Sequence, residues 1–440
     1  MRKTYLFPVL LVGLAACDSV LDVEPTTAVS EDRAIVDEAS ARAALAGVYD
    51  ALTDDLYYGG DFLYFTDLSS DDVRHSGTFA AFGDADRHQL RADNGTVDGI
   101  WTAIYRAIGR ANSLIQRLPD IEMAASTRNQ MLGEAYFIRA LSYHNLVKLW
   151  GGVPLRLEPP ADPEEASQIA RSTVEQVYEQ ILDDLATAES LLSNESQPRS
   201  ASLGAVNALR SRVYLYLGQW QNVVDAADEV LELGYALAPK FSDLFDPDGA
   251  STDEDIFRLS FTPQEFNYIG YYYLSRRNGG RYEVAPEDAL IDLFDPADER
   301  FAWSIGWDEA GNVNATKYPT PAGAEDVHVI RLAEVILNRA EALARLGGNA
   351  NLQEAIAAYN LIRVRAGLPA HTFGVDVTNQ AEVLAEVRLQ RRLELAFEGD
   401  RFADMVRAGE AGAIPETQRL YPIPQSEIDV APNLTQNPGY

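Results

Sequence analysis

Residues 391–407 bring acidic and basic side chains together at a density that could support catalysis. The acids are Glu394, Glu398, Asp400 and Asp404, and the bases are Arg391, Arg392, Arg401 and Arg407. Two facing carboxyl groups could hydrolyse a glycosidic bond, one as general acid and the other as base or nucleophile. The chain holds 67 acidic residues, however, so carboxyl pairs carry little information. Helical spacing lets these acids pair with the arginines, and we therefore predict a structural role and no enzymatic activity.

Other signatures of catalysis or metal binding are weak. No Gly-x-Ser-x-Gly nucleophile motif occurs, and the five histidines show no close spacing suited to a metal. Four aspartates could hold calcium in a loop but lack the EF-hand order: Asp246, Asp248, Asp253 and Asp255. We expect no catalytic residue, metal or cofactor. A helical-toroid glycosidase remains an alternative, and it would need a raised-pKa acid facing a carboxylate in one cleft.

Two segments without helical periodicity, residues 56–99 and 235–328, combine aromatic side chains with Asp and Arg. Loops of this length in a compact domain usually carry function. A sugar has an apolar C–H face and a rim of hydroxyls, so its site needs an exposed aromatic platform and polar side chains. A peptide site would need edge strands or an apolar groove instead. The candidate ligand residues are Tyr57, Tyr58, Asp71, Asp72 and Arg74 in the first segment, and Tyr271, Tyr272, Arg276, Trp303 and Trp307 in the second.

The remaining chain is predicted to be mostly helical, because apolar residues recur at helical spacing. The predicted helices cover residues 38–52, 100–115, 128–150, 173–192, 204–217, 223–233, 330–346, 352–366, 382–398 and 402–407. Two pairs are joined by tight glycine turns, which is typical of tetratricopeptide-like hairpins. Residues 256–261 alternate like a strand. The predicted fold class is thus mostly α, a scaffold of tetratricopeptide-like helical hairpins with long loop-rich, partly β insertions. Trp101 lies on a periodic helix and is assigned to the core.

A tetratricopeptide-like adaptor that binds only protein is a further alternative. It would present a charged or apolar concave helix face and no exposed aromatic platform. Nucleic acid is not an expected partner, because the net charge is −31 and a nucleic-acid-binding surface is basic. The same charge argues against attraction to an anionic membrane surface.

Cys17 is the only cysteine, and it closes the sequence Leu14-Ala15-Ala16-Cys17. Arg2 and Lys3 precede an apolar run, which is the layout of a secretory signal and is too short to span a bilayer. The order leucine, small, small, cysteine resembles the lipobox of bacterial lipoproteins. That resemblance implies a signal peptide at residues 1–16 and lipidation of Cys17, so that the protein is anchored to a membrane through lipid alone.

Several stretches, taken in order, resemble the SusD/RagB family of surface nutrient-binding lipoproteins. They are C-x3-L-D-x2-P at 17–25, W-x3-Y-x2-I-x3-N at 101–112, G-E-A-x3-R-A-x2-Y from 133 with G-G-V-P at 151–154, N-x2-R-x-R-A-G-L at 360–368, R-R-L-E-L-A-F-E-G-D-R-F-A-D at 391–404 and Y-P-I-P at 421–424. The resemblance covers nearly all of residues 17–440, which are expected to form a single SusD-like domain. Gln390 and Met405 depart from the family pattern, where Glu and Leu are usual.

The resemblance implies a mostly helical monomer with four tetratricopeptide-like hairpins that sits as a lid on a SusC-like TonB-dependent outer-membrane transporter. Such a lid captures a nutrient, commonly an oligosaccharide or polysaccharide, and delivers it to the barrel. It also implies a polar ligand contact at Asp71 or Asp72, and a position on the cell exterior, with which the acidic Asp18 and Asp22 are consistent. A peptide-binding, RagB-like lid remains an alternative.

Overall fold

The computed structural model describes residues 34–159, 163–193, 198–245, 247 and 251–440. The predicted signal peptide, Cys17, Asp246 and Asp248 lie outside these residues. Within the described part, no helix is both long enough and apolar enough to cross a membrane.

The described residues are mostly helical, which confirms the predicted fold class. The helices of the first half are α1 (Glu38–Leu52), α2 (Asp61–Leu68), α3 (Ala80–Asp86), α4 (Gly95–Arg117), α5 (Ala125–Trp150), α6 (Pro163–Ser167) and α7 (Val174–Leu191). Those of the second half are α8 (Leu203–Leu217), α9 (Trp220–Glu232), α10 (Ile269–Tyr273), α11 (Asp288–Ile291), α12 (Glu299–Ser304), α13 (Leu332–Leu346), α14 (Asn349–Arg365), α15 (Gln380–Glu394), α16 (Arg401–Ala408) and α17 (Gln425–Val430).

The long helices pack as consecutive neighbours and form the scaffold. Helix α1 packs on α4, α4 on α5, α5 on α7, α8 on α9, α9 on α13, and α13 on both α14 and α15. Local signals set the helix ends: Asp37 and Ser40 form a capping box before α1, and Gly218, at φ +67°, ends α8 one residue before the cap of α9. The predicted hairpin at 204–233 is confirmed.

Buried polar side chains join the first helices to one another. Both oxygens of Asp184 on α7 accept hydrogen bonds from Arg139 on α5, at 2.8 and 2.7 Å. A third nitrogen of Arg139 donates to Asn112 on α4 at 2.9 Å, and Asn112 donates in turn to the Arg156 carbonyl at 2.8 Å. The motif positions Asn112 and Arg139 therefore lock α4, α5 and α7 together.

The described residues contain six short strands, which form three antiparallel pairs. They are β1 (Val73–His75), β2 (Asp255–Leu259), β3 (Val284–Pro286), β4 (Ile305–Trp307), β5 (Val313–Ala315) and β6 (Val327–Arg331). Strand β1 pairs with β3, so Val73 lies opposite Pro286 and the two insertions meet in one ribbon. Strand β2 confirms the predicted strand and pairs with β6. The pair β4 and β5 forms a hairpin.

Residues 56–99 are not the continuous loop that the missing periodicity predicts. They contain α2, β1 and α3. Helix α2 is buried from Phe62 to Leu68, so it has no polar face that could produce an amphipathic pattern. Further along the chain, residues 330 and 331 belong to β6 rather than to α13, and α15 ends at Glu394, before the predicted end at residue 398.

Candidate functional site

Tyr57 and Tyr58 lie in the core and not on a ligand platform. Their exposed fractions are 0% and 4%, and their rings pack against Phe62, each at 5.2 Å between centroids. The Asn145 amide on α5 donates to both hydroxyls, at 2.7 and 2.8 Å. The prediction that these two tyrosines contact a ligand is therefore wrong, because α2 and α5 cover both rings.

Asp71 and Asp72 join the first insertion to the C-terminal helices. Arg401 donates to both oxygens of Asp71, at 2.7 and 3.1 Å, and Arg392 donates to Asp72 at 2.6 Å. Asp72 is buried, which contradicts its assignment as a ligand contact. Arg74 also has a local partner, because it donates to the Pro286 carbonyl across the β1–β3 ribbon. These three side chains hold the insertion in place.

The acids and arginines of 391–407 form buried ion pairs, as a structural role requires. Glu394 lies among Arg300, Arg331 and Arg365, and Glu398 pairs with Arg331 and Lys317, the latter at 2.8 Å. Burial opposes ionisation of Glu398, but Arg331 and Lys317 outweigh it and lower its pKa to about 2. The partners are mostly remote in sequence rather than neighbours on the same helix.

The cavity beside this stretch is too small for a substrate. It measures about 20 Å³ and is lined by side chains between Arg388 and Glu410, together with Asp72. A volume of that size holds about one water molecule. Among the described residues, no group of three or more His, Cys, Asp or Glu side chains could hold a metal ion. Asp255, one of the four aspartates considered for calcium, instead lies 2.8 Å from His328 Nδ1.

An open groove lies where the two insertions meet, and its volume is about 330 Å³. The β1–β3 ribbon positions one wall, since the Ser76 amide donates to the Glu283 carbonyl at 3.0 Å just beyond the paired residues. The other walls are the turn after α10 and the loop of the β4–β5 hairpin. The groove is lined by Ser76, Gly77, Thr78, Ser275, Arg276, Arg277, Arg281, Tyr282, Asp308 and Asn312.

A buried carboxylate fixes the wall formed by residues 76–79. Glu283 accepts hydrogen bonds from the amides of Thr78 and Phe79, at 2.7 and 2.9 Å, and from Arg281 at 2.9 Å. Burial alone would raise the pKa of Glu283, but these donors lower it overall, so the group stays ionised at neutral pH. The guanidinium of Arg281 also lies over the Phe79 ring, 4.0 Å from its centroid.

The β4–β5 hairpin forms the opposite wall. The Asp308 carboxylate accepts from the amides of Ala310 and Asn312 at 2.8 and 2.9 Å, and from the Asn312 side chain at 2.8 Å. The Asn312 side-chain hydrogen bond holds the pKa of Asp308 well below its usual range. Arg276 is exposed and makes no ion pair or side-chain hydrogen bond within the described part of the chain. Both arms of the groove are thus fixed by internal contacts, while Arg276 is available to a ligand.

Trp303 and Trp307 are the two tryptophans that the structure exposes. Their exposed fractions are 42% and 53%, whereas Trp101 and Trp150 are buried, which confirms the assignment of Trp101 to the core. Trp307 ends β4 and directly precedes Asp308 of the groove, and its ring lies 5.9 Å from that of Phe301. An indole held in this way beside polar groups can stack on an apolar face.

Tyr271 and Tyr272 extend a half-buried aromatic row next to the groove. Consecutive ring centroids from Phe266 through Tyr268, Tyr271 and Tyr272 lie 4.9, 6.1 and 5.4 Å apart. The Arg281 amide donates to the Tyr271 carbonyl at 2.6 Å, which ties the row to the groove turn. Burial raises the pKa of Tyr272 to about 12, so its hydroxyl keeps its proton at neutral pH.

Of the predicted ligand residues, Arg276 lines the groove, and Tyr271, Tyr272 and Trp307 lie on segments that adjoin it. The other nine residues of the groove lining, among them Thr78, Arg277, Arg281 and Asn312, were not among the predicted ligand residues. The sequence contains one signal for them, the run Arg-Arg-Asn-Gly-Gly-Arg at 276–281, because three arginines on a glycine turn are unusual in so acidic a chain.

Asp61, on α2 below the aromatic row, gives the fold a measurable pH dependence. Its carboxylate accepts a hydrogen bond from Tyr64 at 2.6 Å, and burial raises the pKa of Asp61 to about 6. Since the unfolded chain releases this proton near pH 4, only the folded state holds it between about pH 4 and 6. The contribution of Asp61 to the free energy of unfolding is therefore present at low pH and falls as the pH rises through this window.

Replacing Asp61 with Asn is expected to stabilise the protein by about 2 kcal/mol at pH 7.5 and hardly at all at pH 4. Thermal unfolding of both proteins across this pH range measures the difference, with the exposed Asp120→Asn as control. A gain that does not vary with pH would contradict a raised pKa at Asp61.

The described residues form a helical scaffold that carries an open surface groove, and this groove is the candidate ligand site. The family described as "Starch-binding associating with outer membrane" matches residues 19–215, and the SusD family matches residues 312–414. The SusD-like protein P38 of Formosa agariphila is 26% identical, over 99% of this chain and 98% of that protein. The starch-binding protein SusD of Bacteroides thetaiotaomicron is 28% identical, over 45% of this chain and 34% of its own length.

Solved structures agree with these sequence matches. A laminarin-binding SusD-like protein superposes with a TM-score of 0.81 and 26% identity, over 92% of this chain and all of that chain. A SusD superfamily protein of Bacteroides thetaiotaomicron gives a TM-score of 0.79 and 27% identity, over 92% of this chain and 100% of its own. The chain therefore belongs to the SusD/RagB family.

Proposed function

We propose that this protein is a surface-exposed outer-membrane lipoprotein that captures an oligosaccharide or polysaccharide and delivers it to a SusC-like TonB-dependent transporter. The observation that carries the proposal is the exposure of Trp303 and Trp307 on the segment that leads into the groove. Exposed tryptophans suit a binding surface, because an indole combines a large apolar face with a polar N–H.

The chemistry of this surface suits a glycan. The indoles offer a face to the C–H side of a sugar ring, while Arg276, Asn312 and Thr78 offer donors and acceptors to its hydroxyls. The groove is open and shallow, so we expect a dissociation constant between about a micromolar and a millimolar. The relatives named for starch and laminarin binding support this ligand class, and both are named as binding proteins rather than enzymes.

Attachment to the membrane would come from lipid on Cys17. A single acyl chain binds a membrane only marginally and stable anchoring takes two signals, so the three chains of a lipoprotein cysteine would hold the protein firmly. The family description, which places its members at the outer membrane, supports this location. The glycan would then be held close to the transporter that imports it.

Replacing Trp303 and Trp307 together with Ala should abolish glycan retention, with at least a tenfold loss of affinity. A glycan array probed with the soluble form that begins after Cys17 identifies the ligand, and product analysis on every hit tests for cleavage. Affinity electrophoresis on that ligand then compares the double variant with the wild type. Circular dichroism should show unchanged helix content, because both side chains are about half exposed.

The matched control is Leu361→Ala on α14, since Leu361 is 53% exposed, as Trp307 is. It should bind the glycan normally. Normal binding by the double tryptophan variant would show that Trp303 and Trp307 do not form the glycan-binding surface. Cleavage of the glycan would favour the glycosidase alternative, and silence across the array would favour a peptide ligand.

A further inference from the structure

The groove is locally basic in a strongly acidic protein. The chain has 67 acidic and 36 basic residues, yet three of the ten groove-lining residues are arginines and one is an acid. Arg276, Arg277 and Arg281 all lie on the single turn after α10. With this composition, random placement would put more acids than arginines in the groove. The excess of arginine therefore indicates a specific role for the groove.

The acids near the groove are already committed to other partners. Glu283 accepts from two amides and from Arg281, and Asp308 accepts from two amides and the Asn312 side chain. The acid closest to Arg277 is Glu309, at 4.0 Å, and both side chains are mostly exposed, at 61% and 94%. An exposed pair of this kind contributes little and is easily displaced. Arg276 and Arg277 can therefore turn to an incoming anion.

The overall charge of −31 does not prevent this. At physiological ionic strength the screening length is about 8 Å, so most surface acids act weakly on a ligand in the groove. Guanidinium groups in hydrogen-bond reach act strongly, because they bind carboxylates and sulfates through two parallel hydrogen bonds. The local arginines thus decide which ligand the groove prefers.

We propose that the groove selects an acidic glycan, whose carboxylate or sulfate groups are bound by Arg276 and Arg277 while its sugar rings stack on Trp307. This inference rests on the proposed glycan-binding function and narrows it to a charged substrate class. Arg281, the third arginine of the turn, is held in place by Glu283 and by the Phe79 ring.

The test compares polysaccharide pairs that differ only in charge: dextran and dextran sulfate, laminarin and sulfated laminarin, and methyl-esterified pectin and polygalacturonate. The wild type should bind the anionic member of at least one pair about tenfold more tightly than the neutral member. The double variant Arg276→Gln/Arg277→Gln should lose that preference, so that its affinities for the anionic and neutral members lie within about twofold of each other. The control is Arg91→Gln, at an exposed arginine outside the groove. This variant should keep the preference of the wild type for the anionic member. A preference in the dextran or laminarin pair would indicate binding of sulfate, and a preference in the pectin pair would indicate binding of carboxylate.

Two results overturn the proposal. Equal affinity for the charged and neutral members would show that the arginines do not select charge, and an anionic preference that survives the double variant would place its origin elsewhere. In both cases, binding that depends on Trp303 and Trp307 would leave the glycan-capture function intact. Failure to retain any glycan in these pairs or on the array would remove both proposals together.

Discussion

Replacing Glu394 with Gln should lower the free energy of unfolding by about 4 kcal/mol at neutral pH. Glu394 is fully buried, accepts hydrogen bonds from Arg331 and Arg365, and lies 3.3 Å from Arg300. Glutamine keeps the size of the side chain but removes its charge. The buried guanidinium groups of Arg300, Arg331 and Arg365 would each lose one neighbouring negative charge, which destabilises the folded state.

The direction of the change in stability distinguishes the local ion pairs of Glu394 from the general repulsion among the negative charges of the protein. Because the chain carries a net charge of −31, removing any one negative charge would stabilise the fold if general repulsion dominated. The three arginines hold the pKa of Glu394 well below its usual range against the opposing effect of burial, so the local pairs outweigh that repulsion. Urea unfolding measures the change, and the exposed Glu309→Gln should lie within about 0.5 kcal/mol of wild type. A stabilised Glu394→Gln would refute the structural role of this cluster.

Replacing Gly270 with Ala should cost about 3 kcal/mol and weaken glycan binding. A Cβ at this position would lie 2.2 Å from the Thr320 carbonyl oxygen and 2.8 Å from that of Tyr318. Both are backbone atoms, so a rotamer change cannot relieve the clash. Helix α10 would have to move away, and it carries Tyr271 and Tyr272 towards the groove. Thermal unfolding and affinity electrophoresis measure the two effects.

The matched control is Gly109→Ala, in the exposed interior of α4. No atom lies within 4 Å of a Cβ built at Gly109, apart from the helix's own backbone. Alanine is the better helix former, so this variant should gain about 0.5 to 1 kcal/mol. If the two alanine variants proved equally stable, close packing at α10 would not explain the glycine at 270.

Amphipathic helices with clear end signals were predictable from the sequence. Helix α1 has the predicted bounds, because Asp37 and Ser40 cap it and one face is apolar. Helices α8 and α9 were predicted within a few residues, since Gly218 interrupts the pattern between them. In each case, neighbouring residues carry the signal.

Features that depend on remote contacts were not predictable in detail. Buried α2 has no polar face, so it shows no periodicity. The pattern of 391–407 indicates paired arginines but not their partners, because Glu394 pairs with residues 29, 63 and 94 positions away. The composition of a segment also cannot tell an exposed tyrosine from a buried one. Tyr57 and Tyr271 lie in similar aromatic runs, and only the packing of α5 over the first separates them.

The ion pairs at Glu394 limit how far this architecture is modular. Glu254 and Arg300 belong to the second insertion, whereas Arg365 and Glu394 lie on scaffold helices and Arg331 ends β6, directly before α13. Arrays of repeats can gain or lose units because each unit contacts only its neighbours. Here, trimming the insertion would strip Arg331 and Arg365 of a counter-charge, and trimming the last helices would strip Arg300 of one. The second insertion and the scaffold are thus coupled through buried charges, and we expect that removing either would destabilise the other.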